Sequence, residues 1–69
     1  MPAPKYERVA EAIREQIRSG DLKPGDKLPS LTELEKLHGV SYGSIRGAML
    51  VLKAEGLIEG RPGDGVYVK

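Results

Sequence analysis

The sequence predicts a mainly α domain with a small β-hairpin, a winged helix-turn-helix of three helices plus a wing. Apolar residues recur at helical spacing in three separate segments, and the second and third of these are joined by only Gly39-Val40-Ser41. After Gly56 the pattern changes to two short strand-like runs around a glycine-rich tip. Two helices joined by so short a turn, with a glycine inside it, cross steeply. A hairpin directly after such a pair is a wing.

The first helix follows from Tyr6, Val9, Ala10, Ile13 and Ile17, with Glu7, Arg8, Glu11, Arg14, Glu15 and Arg18 on its other faces. Gly20 stands where a left-handed C-terminal residue belongs, so the helix should end near Ser19. Residues 21 to 26 then read as turn material with a Pro-Gly pair. Ser30 and Glu33 form a capping box that opens the second helix, whose apolar stripe is Leu31, Leu34 and Leu37 and whose end is His38-Gly39. Ser41 is the natural N-cap of the third helix, which buries Ile45, Ala48, Met49 and Leu52 and closes at Glu55-Gly56. Leu57-Ile58-Glu59 and Val66-Tyr67-Val68 are the strands, with residues 60 to 65 as the tip and Asp64-Gly65 as its tight-turn dipeptide. Residues 1 to 4 are expected to be disordered.

With 69 residues, the chain has room for one domain over 1–69 and one core. A core of this size supplies about 3–5 kcal/mol, which favours short, well-capped local elements over a water-excluding enzyme pocket. The absence of cysteine removes disulfides, zinc-finger spacing and thiol chemistry, and points to a reducing compartment. The longest apolar run is Ala48 to Leu52 and the first residues carry no apolar signal region, so no membrane association is expected and the cytoplasm is. His38 has no second imidazole for a metal site, and neither Ser41 nor Ser44 has the base and acid a nucleophile requires. No catalytic residue, metal, cofactor or small-molecule effector site is expected in this chain.

The exposed start of the third helix offers Ser41, Tyr42, Gly43, Ser44 and Arg46: small or polar groups that let a helix enter a major groove, with a guanidinium for phosphate or guanine. Ser30, at the start of the second helix, joins them as a candidate. Arg61, at the base of the wing tip, suits a minor groove or a phosphate, while Gly63 and Gly65 read first as structural and Asp64 as repelling DNA. Gly43 and Gly47 each cost a helix about 1 kcal/mol. Either another surface approaches closely there, or the helix crosses the second one in a crowded contact. The net charge of +1, with five basic residues from Ser30 onward matched by five acidic ones, implies modest DNA affinity for a single copy.

Gly20 to Ser30, Glu33-Leu34, Gly39-Val40-Ser41, Arg46, Ala48, Leu52, Glu55 to Ile58, Gly63, Gly65 and Tyr67-Val68 together resemble the N-terminal DNA-binding domain of the GntR family of transcription regulators. The resemblance runs from about Tyr6 to Val68. It implies a third helix in the major groove of double-stranded DNA and a wing at the minor groove, acting as a homodimer on a palindromic operator. Its contact positions carry over to Thr32, Ser41, Tyr42, Ser44, Arg46 and Gly63 to Gly65. Leu31-Thr32 stands where the family commonly has Glu-Arg, Tyr42 where it has arginine, and Asp64 where lysine is frequent. Repression is the expected mode of regulation. Two other readings stay open: a winged helix kept as a protein-binding module, favoured by the neutral charge, and an RNA-binding domain, for which only Tyr42 is a stacking candidate.

Overall fold

A computed structural model describes residues 3–69; the first two of the four residues expected to be disordered lie outside it. The elements in order are α1 (Lys5–Ser19), α2 (Leu31–His38), α3 (Tyr42–Ala54), β1 (Ile58–Arg61) and β2 (Gly65–Val68). The architecture is the expected three helices and a hairpin.

Helix α1 starts on Pro4, whose carbonyl accepts from the Glu7 and Arg8 amides at 3.0 and 3.2 Å. It ends on Gly20, which takes φ +91° and donates its N–H to the Ile17 carbonyl. In α2 both halves of the capping box form: the Glu33 amide donates to Ser30 Oγ at 3.1 Å, and the Ser30 amide donates to Glu33 Oε1 at 3.0 Å. Gly39, at φ +63°, stops α2 with its N–H on the Glu35 carbonyl. Ser41 does precede α3 in extended conformation, but its hydroxyl makes no capping hydrogen bond. Residue 44, three on, is a serine, so no carboxylate is placed to complete a box.

Every element contributes to one core: Val9, Ala10 and Ile13 from α1, Leu28 from the loop, Leu34 from α2, Ile45, Ala48, Met49 and Leu52 from α3, Ile58 and Val68 from the hairpin. No polar side chain is buried among the described residues. Leu37 departs from the expected stripe, being 70% exposed. Helix α2 has only eight residues, and its core contact is made by Leu34 with Leu31 packed beside it. Arg14 ties α1 to the end of α3 with a two-pronged grip on Glu55, at 3.0 and 2.8 Å, and also reaches Glu11. The Glu55 carboxylate is the chief cause of an Arg14 pKa above its ordinary value.

The hairpin pairs Ile58 with Val68, Glu59 with Tyr67, Gly60 with Val66 and Arg61 with Gly65. The strands therefore reach further than expected, and the tip shrinks to Pro62-Gly63-Asp64. Its turn is made by Pro62-Gly63 rather than Asp64-Gly65: the Asp64 amide donates to the Arg61 carbonyl at 3.0 Å, with Gly63 at φ +75°. Proline followed by a positive-φ glycine is the type II pattern. The α1–α2 connection repeats it in Lys23-Pro24-Gly25-Asp26, where the Asp26 amide donates to the Lys23 carbonyl at 2.9 Å and Gly25 has φ +91°. That connection is more than turn material. Lys27 bridges Tyr67 antiparallel to β2, the Leu28 amide donates to the Val66 carbonyl, and the Val68 amide donates to the Asp26 carbonyl, both at 2.8 Å. The wing is thereby anchored along its second strand to the segment that leads into α2.

Candidate nucleic-acid interface

Helix α3 places Tyr42, Arg46, Leu50 and Lys53 on one side, since residues three and four apart share a face. These four line one shallow groove together with Leu31, Met49 and Val66. A second groove, between the start of α2 and the wing, is lined by Lys27, Ser30, Leu31, Glu33, Lys53 and Arg61, by the wing tip and by Gly65 and Val66 of β2. Leu31, Lys53 and Val66 belong to both, so the two grooves form one continuous surface.

Of the residues singled out from sequence, Ser30, Tyr42, Arg46, Arg61, Gly63, Asp64 and Gly65 lie on that surface. Thr32, Ser41 and Gly43 are exposed and Ser44 is half-buried, none of them lining either groove. Tyr42 is 47% exposed, and the Arg46 guanidinium carbon sits 5.9 Å from its ring centroid, the outer range of a cation–π contact. Arg46 makes no ion pair among the described residues.

The wing is tied together internally. The Arg61 guanidinium carbon lies 3.9 Å from the centre of the Tyr67 ring, with an Nη2 3.6 Å from Glu59 Oε1. The Tyr67 hydroxyl donates to Asp64 Oδ2 at 2.8 Å, and Lys27 Nζ is 3.6 Å from Asp64 Oδ1. Donation to that carboxylate raises the Tyr67 pKa above its ordinary value. The Asp64 charge is thus already balanced inside the molecule. The Glu33 carboxyl is held below its ordinary value, chiefly by the Ser30 backbone N–H that donates to it.

The two helix glycines have different surroundings. A Cβ on Gly43 would meet nothing within 4 Å, so that side of α3 is open to an incoming surface. On Gly47 it would stand 3.1 Å from Tyr6 Cβ, so the crowding there is with α1, not with α2. Gly65 combines φ +150° with a Cβ direction only 2.7 Å from Lys27 Cε, which gives it a structural reason of its own. Lys27, Leu50 and Lys53 were missing from the sequence-derived candidates. The signal for Lys53 was its place seven residues after Arg46, two turns along the same face.

Two helices joined by a three-residue turn and followed by a hairpin, with an exposed polar helix start beside the hairpin, define a winged-helix DNA-binding domain. The family model described as "Bacterial regulatory proteins, gntR family" matches residues 5–68. The chain belongs to that family. It is 44% identical over 66 residues to the mannosyl-D-glycerate transport/metabolism system repressor MngR of Escherichia coli strain K12, covering 96% of this chain. It is 43% identical over 67 residues to the histidine utilization repressor of Klebsiella aerogenes, covering 97%. The match spans only 28% of the length of either relative. Among solved structures, AraR(DBD) in complex with operator ORX1 superposes with a TM-score of 0.95 at 37% identity, covering 99% of this chain and 82% of that one. YtrA from Sulfolobus acidocaldarius, a GntR-family transcription factor, gives 0.91 at 39%, covering 100% and 72%. These relatives are regulators, not enzymes. No described helix is long and apolar enough to cross a membrane.

Proposed function

We propose that this domain binds double-stranded DNA in a sequence-specific manner and serves a cytoplasmic transcriptional repressor, two copies occupying the half-sites of a palindromic operator. The observation that carries the reading is Arg46, without an ion pair among the described residues, beside exposed Tyr42 on a face of α3 continuous with the wing. With α3 in the major groove, Arg46 reads guanine or holds a phosphate, and Tyr42 packs on a thymine methyl or donates to phosphate. Ser41 and Ser44 supply hydroxyls to the backbone, and open Gly43 lets the helix sink in. Ser30 and Thr32 approach a phosphate from the start of α2. The tip at Gly63, Asp64 and Gly65 brings Arg61 to the minor groove. The balanced charge of the chain makes one copy a weak binder, so the second copy supplies much of the affinity.

A binding-site selection on the domain, alone and joined to a dimeric coiled coil, tests this. The expected result is one enriched motif for both forms, with the joined form favouring two inverted copies about one helical turn, roughly 34 Å, apart. No enrichment by either folded form would overturn it. Exposed Leu37 and Leu50, at 70% and 63%, support the competing reading of a protein-binding module, which weak DNA binding insensitive to salt would favour.

A further inference from the structure

Lys53 lies on the ridge shared by the two grooves, between the face of α3 and the wing. Its side chain does not trail off the helix end into solvent. The ammonium reaches β1, so that a Cβ on Gly60 would stand 3.3 Å from Lys53 Nζ. Leu31 and Val66 line both grooves with it, among charged neighbours that include Lys27, Glu33, Arg61 and Asp64. The acids nearby are engaged elsewhere: Glu33 with the Ser30 amide, Glu59 with Arg61, and Asp64 with Tyr67 and Lys27. Among the described residues Lys53 makes no ion pair. It stands on the same line of α3 as Arg46, seven residues on, at roughly 10 Å along the axis.

In a duplex, the strand that separates the major groove from the minor groove is the sugar-phosphate backbone. A surface lying between a helix in one groove and a wing at the other therefore faces phosphates. We infer that Lys53 is a phosphodiester-binding residue, holding the strand that passes between α3 and the wing while Arg46 works deeper along the same helix. The inference rests on the proposed DNA-binding function. A flexible ammonium at that place adds affinity and register without reading sequence.

The test is equilibrium binding of a mixed-sequence duplex by the wild-type domain, Lys53→Gln, Lys53→Arg and Arg46→Ala across a salt series, with thermal melts of each. The expected result is a log–log salt slope shallower by about 0.9 for Lys53→Gln, the loss of one phosphate contact. Affinity should fall severalfold, Lys53→Arg should restore the slope, and the melting temperature should not move. An unchanged slope in Lys53→Gln overturns the inference, as does a lost slope that Lys53→Arg fails to restore or that accompanies a lowered melting temperature. A wild-type domain that binds no duplex at any salt would fail the functional reading, and this inference with it. Binding that responds to Arg46→Ala and ignores Lys53→Gln would fail the inference alone.

Discussion

In the wing the charged groups are all partnered within the molecule, whereas along α3 the cations stand free. Arg61 rests on Tyr67 and Glu59, and Asp64 takes both the Tyr67 hydroxyl and Lys27. Arg46 and Lys53, by contrast, have no ionic partner among the described residues. Exposed pairs of the wing kind contribute about 0–1 kcal/mol each, so they set position more than stability. The contrast assigns the two regions different work. The wing presents a shape that is nearly neutral and held through β2 against residues 26 to 28, and α3 brings the charge that an external anion can neutralise.

The largest effect should come from Arg46. Arg46→Ala is expected to cost about 1–3 kcal/mol of binding free energy on a selected duplex, with circular dichroism unchanged. An intact affinity would break the contrast at its stronger end.

Next is the anchor that presents Ser30 beside the wing. Ser30→Ala should cost about 1 kcal/mol of stability, a fall in Tm of roughly 4–8 °C for a domain this size. The partner side of the same box has a pH signature. Because the folded Glu33 pKa is depressed, its stabilising contribution is complete above the ordinary carboxylate range and is lost as pH falls through the folded value. Melts of wild type and Glu33→Gln should differ at neutral pH and converge in acid; a gap that widens in acid would reverse the sign.

The smallest effect is expected from Asp64→Asn, which keeps an acceptor for Tyr67 and releases Lys27. DNA affinity should rise, with the salt slope steeper by at most about 0.9. Weaker binding would mean that the Lys27–Asp64 pair holds the wing in a shape the complex requires.

Much of this architecture is legible in the chain. The ends of α1 and α2 follow from Gly20, from Ser30 with Glu33, and from Gly39, because a cap is a local event that involves residues adjacent in sequence. What escaped depends on partners far along the chain. The Lys27–Tyr67 bridge joins positions forty residues apart, and a single bridged pair has no period to detect. For Gly47 the sequence offered an approaching surface or a crowded crossing with α2, and only the packing shows Tyr6 of α1 against it. At the wing tip two turn-forming dipeptides adjoin, and Pro62-Gly63 makes the turn in place of Asp64-Gly65. The candidate surface was legible where it is local, at the exposed start of α3 with Tyr42 and Arg46. The place of Lys53 on it was not, because that depends on a wing that folds back beside α3.

The most direct measurement is a set of parallel binding-site selections with the wild-type domain, Arg46→Ala and Arg61→Ala, all joined to the same dimeric coiled coil. Helix reading with a supporting wing predicts that Arg61→Ala recovers the wild-type motif at reduced affinity, while Arg46→Ala loses preference at one or more positions of each half-site. If Arg46→Ala instead returns the wild-type motif and Arg61→Ala erases it, the wing does the reading and the division of work between these two regions is wrong.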